Sequence, residues 1–374
     1  MASVEQITSS LIAFPTVSPK GDELDCAKYI FDHLKDLHIE DSEINLQEFD
    51  RTRANVVATF GPGKEPGLLL SGHIDVVPAG NRESWSSDPF SATVRDRKVF
   101  GRGTADMKGG LASILKAIEQ ELKNSALKRR LVFVATAGEE TGFVGLEKLI
   151  GNSIISSKSS TCVVIGEPTS LRPARAHRGI YRLKVDFQGR SSHAGTPELG
   201  INAIEDACKL VSRLDEVRKE LSKTRDDLLG TTTLTPTMMS GGIGENVVPP
   251  NAEVILDSRR LPAHSTEYVR SEVEKSCEGL KSGHSITEVV NHLPLDTPEG
   301  NFLTKLAENI TGSRSVACAF GTEGSLYWGG LHLPTIVVGP GSVEQAHVDN
   351  EFVEMSQLEK AVSIYSSFIR EICL

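Results

Sequence analysis

Two adjacent carboxylates, Glu139 and Glu140, lie between Gly138 and Gly142, just after the apolar run Leu131-Val132-Phe133-Val134-Ala135. Carboxylates are rarely buried unless they are paired or bind a metal. A Glu-Glu pair leaving a core strand therefore asks for a positive partner, either the cation of a salt-bridged loop or a metal ion. His73, Asp106, Glu167 and His347 also stand at the ends of apolar runs or in glycine-rich turns, and with Glu140 they make five candidate ligands. Two imidazoles and three carboxylates suit a borderline divalent ion such as zinc, which does not require thiolates. Five ligands are too many for one catalytic zinc with about three protein ligands and a water. They are right for two ions roughly 3.5–4 Å apart that share a carboxylate. Asp75 lies two residues from His73 on the same face of an extended segment, placed to accept the second ring N–H of that imidazole.

Each residue alone has a plainer reading. A single His near a strand end is most often a hydrogen-bonded structural residue, Glu167 before Pro168 suits an exposed turn, and Asp106 suits the N-cap of the helix that follows it. Their agreement moves the weight to a metal site.

The elements around these residues belong to an α/β pattern. Apolar spacing predicts helices over 4–14 and 24–37, and another from Met107 to about Leu122 with Leu111, Ile114, Leu115 and Ile118 on one stripe. Short buried runs at 55–58, 68–71, 131–135 and 162–165, rich in Val and Leu, predict a largely parallel sheet. His73, Glu140 and Glu167 fall at the carboxyl ends of such strands, where open α/β sheets gather their ligands. Near residue 178 the texture changes: Tyr181–Phe187 alternates apolar and polar, as do stretches around 232–239 and 251–260. With a helix carrying Ile201 to Leu214, another over 266–279 and a strand near 285–291, the order is β-α-β-β-α-β, a compact α+β unit of ferredoxin-like type. Buried-strand texture returns at Pro334–Val338. The expected division is a catalytic domain over 1–177 and 293–374, with 178–292 inserted into it.

At 374 residues two domains are the default, and 39% hydrophobic with 24% charged residues is the composition of a globular protein. The net charge of −10, without a basic block, argues against nucleic acid. No apolar run reaches the roughly 18 residues of a membrane span, and no basic segment followed by an apolar core opens the chain. The six cysteines are far apart with no CxxC pair, so reduced thiols in a cytoplasmic enzyme are expected.

Six ordered motifs carry a family resemblance across essentially the whole chain. His73-Ile74-Asp75-Val76-Val77-Pro78, Gly101-Arg102-Gly103-Thr104-Ala105-Asp106-Met107-Lys108-Gly109-Gly110 and Gly138-Glu139-Glu140-Thr141-Gly142 come first. Gly166-Glu167-Pro168-Thr169, Ser192-His193-Ala194-Gly195-Thr196-Pro197 and Gly339-Pro340-Gly341-Ser342 with His347 follow. Together they resemble the di-zinc hydrolases that include acetylornithine deacetylase, succinyl-diaminopimelate desuccinylase, aminoacylase and glutamate carboxypeptidase. The resemblance implies a mostly parallel-sheet zinc-hydrolase domain with a smaller lid and dimerisation domain, and a homodimer. It implies that Asp106 bridges two divalent ions, zinc with cobalt or manganese as alternatives. His73 and Glu167 would complete one site, Glu140 and His347 the other, with Glu139 as general base and Asp106–Met107 a cis peptide. His193 would polarise the scissile carbonyl across the dimer, its plainer reading being a turn residue before Pro197. Arg259, Asn246 and Arg178 match substrate-facing positions, although a surface salt bridge is the plainer reading for either arginine.

The implied reaction is metal-dependent cleavage of an N-acyl amino acid, a small molecule. The segment Phe320-Gly321-Thr322-Glu323-Gly324 and the stretch Val338–His347 are most similar to acetylornithine deacetylases, which makes N-acetylornithine the leading substrate. Glu323 is then expected to meet the side-chain amine. The rivals are desuccinylase, broad aminoacylase and dipeptidase or carboxypeptidase activity, and a non-catalytic binding protein of the same fold.

Overall fold

The computed structural model describes residues 2–62, 65–123 and 125–374. The chain divides into two compact units: one runs through Arg175 and resumes at Thr297–Cys318 and Thr322–Leu374, and the other comprises Ala176–Asp296 with Ala319–Gly321.

The larger unit is built on a sheet whose strands follow in the order Ser42–Asp50, Arg53–Phe60, Arg130–Thr136, Pro66–His73, Cys162–Ile165 and Thr335–Val337. The last four run parallel, and the first two form an antiparallel hairpin added at one side. Parallel strands covered on both faces read as continuous apolar runs, and Leu68, Leu69 and Leu70 are all fully buried. The helices Val4–Ile12, Gly109–Leu122 and Met355–Cys373 pack together with the sheet, sharing one core in which Leu111, Ile114, Leu115, Tyr365, Phe368 and Ile369 meet Leu68, Leu70 and Val164. Burial of each such aliphatic side chain contributes roughly 1.5–3 kcal/mol.

Some details depart from the periodicity. The strand Ser42–Asp50 is mostly half-buried or exposed, so its hydrophobic signal is weak. The helix expected from Met107 begins at Gly109, because Asp106 (φ −123°, ψ 94°) and Met107 (φ −133°, ψ 32°) are not helical. Asp106 is therefore not an N-cap: Lys108 holds that position. The helix Phe302–Thr311, capped by the Asn301 side chain on Leu303 N–H, was not legible in the apolar pattern.

The smaller unit is a four-stranded antiparallel sheet in the order Thr233–Gly241, Asn251–Arg260, Gly179–Gln188, Gly283–His292. The helices Ala203–Leu221 and Thr266–Cys277 cover one face. Alternation explains this one-sided burial: Tyr181, Leu183, Val185 and Phe187 are buried, while the residues between them are half-exposed. The expected β-α-β-β-α-β order is present.

Candidate metal centre

Strand ends place three of the candidate ligands. His73 is the last residue of Pro66–His73, Glu167 follows Cys162–Ile165 by two residues, and Glu139–Thr141 is a single tight turn after Arg130–Thr136. Gly138 (φ +75°) and Gly142 (φ +110°) bound that turn in backbone conformations that side chains disfavour, which explains the flanking glycines. Asp106 sits in the irregular turn Thr104–Lys108, and its peptide bond to Met107 is cis. His347 lies on the loop after Thr335–Val337.

These five residues meet at one place in the larger unit. His73 Nε2 lies 3.1 Å from Asp106 Oδ1 and 3.5 Å from Glu167 Oε1. His347 Nε2 lies 3.2 Å from Asp106 Oδ2 and 3.1 Å from Glu140 Oε1. Asp106 thus divides its two oxygens between two groups, His73–Asp106–Glu167 and Asp106–Glu140–His347. Donor atoms on one tetrahedral ion, each about 2.0–2.1 Å from it, stand roughly 3.3 Å apart, so both groups are spaced for an ion. The tautomer of His73 agrees: its Nδ1 lies 2.9 Å from the Asp75 carbonyl oxygen, which only accepts. The proton of the neutral ring is therefore on Nδ1, leaving the Nε2 lone pair directed at the group.

Residues 69–371 match the peptidase family M20/M25/M40. The chain belongs to this family. It is 32% identical over 383 residues to an acetylornithine deacetylase of Proteus mirabilis, covering 99% of this chain and 96% of that one. It is 33% identical over 384 residues to an acetylornithine deacetylase of Pasteurella multocida, covering 98% and 97%. Among solved structures, an M20 family metallo-carboxypeptidase from Sulfolobus solfataricus superposes with a TM-score of 0.78 at 20% identity, covering 99% of each chain. The Bacillus subtilis YXEP protein, described as a dinuclear metal binding peptidase from the M20 family, superposes with a TM-score of 0.70 at 17% identity, covering 98% and 96%. As an M20 protein the chain is a hydrolase of amide bonds that works with bound metal.

The electrostatics of this M20 site favour cations. Burial pulls His73 down, yet the surrounding carboxylates of Glu167, Asp106 and Asp75 outweigh it and hold the imidazole well above its ordinary value. Hydrogen bonds with Asp106 and Glu140 push His347 up to about 10. Burial, helped by the Asp106 charge, pushes Glu167 up to about 8. Glu139, 9% exposed, is likewise held well above the carboxylate range by burial, with His73 opposing and the charges of Glu167, Glu140 and Asp75 adding. Crowded carboxylates take up protons when nothing else neutralises them, and divalent ions do the same work with the carboxylates ionised.

The sequence placed Asp75 and Glu323 at the site. The Asp75 carboxylate does meet the second ring nitrogen of His73, with Oδ1 at 3.5 Å, although the Asp75 backbone carbonyl lies closer at 2.9 Å. The carboxylate also accepts the backbone N–H groups of Glu139 (3.0 Å) and Glu140 (3.1 Å) and the Ser18 hydroxyl (2.6 Å). Side-chain spacing could not disclose these further contacts, because two of the partners are main-chain groups and Ser18 is remote in sequence. Glu323 was expected to meet a substrate amine, but it is 2% exposed. Burial pushes its carboxyl up to about 7, with the Thr136 hydroxyl, the His73 charge and the Ser71 hydroxyl opposing.

Other residues of the site carried no signal. Glu351 accepts three backbone N–H groups of the Asp106 turn and pairs with Arg102, yet it lies in a polar stretch without periodicity. Ser18 is remote in sequence from the rest.

The remaining candidates lie in the smaller unit. His193 is exposed on a loop that bridges to Val247, and Ala194 N–H donates to the Asn246 carbonyl at 2.9 Å, so His193 and Asn246 are neighbours. Gly195 N–H donates to His193 Nδ1 at 3.0 Å, which puts the proton of the neutral ring on Nε2. Arg259 donates through Nε to Asp257 at 2.8 Å, the salt bridge of the plainer reading. Arg178 donates to the Thr231 carbonyl, and burial together with the nearby Arg259 guanidinium lowers its pKa.

Proposed function

We propose that the protein is a dinuclear zinc deacylase that converts N-acetylornithine to ornithine and acetate. The observation that carries the dinuclear reading is the split of Asp106, one oxygen towards His73 and Glu167 and the other towards His347 and Glu140. Cobalt and manganese accept the same nitrogen and oxygen ligands and are the alternative metals. The choice of substrate rests on near full-length likeness to acetylornithine deacetylases.

Two divalent ions held by these five residues would supply a Lewis-acidic site that lowers the pKa of a water and polarises the amide carbonyl. Glu139, ionised beside the two ions, takes the proton of that water and then delivers it to the departing amine nitrogen. The deprotonated water oxygen adds to the acyl carbon, and the C–N bond breaks as the nitrogen takes the proton, releasing acetate and the free amino group. Asp75 keeps Glu139 and Glu140 in different directions by anchoring their backbone N–H groups. His193, with its neutral-form proton on Nε2, donates to the carbonyl oxygen as negative charge develops there. Arg259 and Arg178 supply guanidinium groups for the substrate carboxylate, with Asn246 beside His193 as a further polar contact.

The inserted segment 178–292, within the smaller unit, serves as lid and dimerisation domain, with His193 acting in the partner's site. Exposed Met238 (67%), Met239 and Ile243 (68%) along and just past the edge strand Thr233–Gly241 support a second copy there. A monomer in sedimentation at working concentration would remove this part. Free thiols support a cytoplasmic location, and among the described residues no helix is long and apolar enough to cross a membrane.

A panel of N-acetylornithine, succinyl-diaminopimelate, N-acetylmethionine and a dipeptide, compared by kcat/KM, tests the substrate. The expected result is a clear preference for N-acetylornithine; a higher value for any other member reassigns the enzyme within the family.

A further inference from the structure

Glu351 and Arg102 form a buried pair beneath the ligand loops; Glu351 is fully buried and Arg102 is 2% exposed. Arg102 Nη1 donates to Glu351 Oε2 at 2.6 Å. The rest of the Glu351 carboxylate is taken by the backbone of the Asp106 turn. Its Oε2 accepts Gly103 N–H at 3.0 Å, and its Oε1 accepts Ala105 N–H at 2.8 Å and Asp106 N–H at 3.1 Å. The guanidinium has two further acceptors. Nη1 donates to the carbonyl of Val348, the neighbour of His347, at 3.2 Å, and Nη2 donates to the carbonyl of Pro78, on the segment that follows His73, at 3.2 Å. Three ligand-bearing segments therefore meet on one ion pair.

Only a carboxylate can do this work. It offers about four lone-pair directions on two oxygens, enough for three N–H groups and a guanidinium, whereas a carboxamide accepts on one oxygen and presents donors on the other side. The direction of the Asp106 side chain follows from its backbone, and that backbone is held at its own N–H by Glu351. Asp106 must aim one oxygen at each group of ligands, so a small rotation of the turn would favour one group at the expense of the other. The link through Arg102 to Val348 keeps the His347 loop in step with the same turn.

We propose that Glu351, acting with Arg102, is the positioning residue that holds Asp106 in its bridging orientation and couples it to His347, so that two ions are bound together. This rests on the dinuclear reading of the site. A buried ion pair adds little by itself to stability, and the remaining hydrogen bonds of this one go to main-chain groups on the segments that carry the proposed ligands.

The test compares wild type, Glu351→Gln and Arg102→Lys, each stripped of metal and titrated with cobalt against a chromophoric chelator. The cobalt d–d spectrum and the Tm of the metal-free protein are recorded alongside. Outer-shell partners of metal ligands typically change affinity about 10–100-fold when removed, and a loss in that range is expected for Glu351→Gln, with an altered d–d spectrum. Arg102→Lys keeps the charge but not the fork, and should show a smaller loss in the same direction. A pair that served stability alone would lower the Tm of the metal-free protein and leave the cobalt affinity and spectrum of the folded protein unchanged. That result in Glu351→Gln overturns the proposal; if this variant does not fold, the same result in Arg102→Lys does so. A wild type that binds no cobalt fails the dinuclear reading instead, which separates the two claims.

Discussion

The carboxylate of Asp75 accepts the backbone N–H of Glu139 at 3.0 Å, and its second oxygen accepts that of Glu140 at 3.1 Å. One buried anion thus holds the turn that carries Glu139 and Glu140, the proposed base and ligand, while its own backbone carbonyl meets His73 Nδ1. Glu139 and Glu140 are neighbours in sequence, and their backbone N–H groups are held by different oxygens of Asp75.

Replacing Asp75 by Asn tests this arrangement. The amide keeps the volume but offers one accepting oxygen where two N–H groups and the Ser18 hydroxyl require two. We expect metal affinity or kcat to fall about 10–100-fold, as for other outer-shell partners. Chelator competition and steady-state kinetics measure it, and a variant indistinguishable from wild type in both removes Asp75 from the site.

Glu139→Gln separates base from ligand. Positioned proton transfer contributes about 10²–10⁴-fold, so kcat should fall by that factor while metal content stays at the wild-type level. Glu140→Gln should instead lose metal. If the two variants behave alike, the division of labour within the pair is wrong.

Much of this was legible in the sequence, for reasons that differ by residue. The Leu68–Leu70 and Leu131–Ala135 runs announced buried parallel strands, and the candidate ligands stood out because three of them fall at the carboxyl ends of such strands, where open α/β sheets gather ligands. The alternation of Tyr181–Phe187 announced a sheet with one open face. What escaped were contacts made by main-chain groups or by residues remote in sequence: the Asp75 carboxylate on Glu139 and Glu140, and Glu351 on the Asp106 turn. Glu323 was placed at the substrate amine by the likeness of its segment to acetylornithine deacetylases, and its burial was not legible in that likeness.

Glu323→Gln follows from that enclosure. A residue shut away from ligand should change kcat/KM for N-acetylornithine and for N-acetylmethionine by the same factor. A loss confined to N-acetylornithine would restore the ion pair with the substrate amine.

Glu23, which is not among the proposed ligands, gives a pH signature of its own. It is fully buried, with Arg53 Nε 3.5 Å from its carboxylate, and burial pushes its pKa from 4.5 to about 7. A carboxyl whose folded pKa exceeds its unfolded value holds extra protons in the native state, so its contribution is complete below about pH 4.5 and is lost as pH rises through 7. Glu23→Gln removes this titration. The Tm of the variant, measured against wild type, should therefore move in favour of the variant between pH 5 and pH 8, and a difference that stays constant across that range would contradict the assignment.

The most direct test of the account is metal stoichiometry joined to turnover. Protein stripped by chelator and reconstituted with zinc should bind two ions per chain and recover hydrolysis of N-acetylornithine, and the Asp106→Ala variant should lose both ions because both groups share that residue. A folded wild-type chain that binds no divalent ion, or one that hydrolyses the substrate fully after the metal is removed, would contradict it.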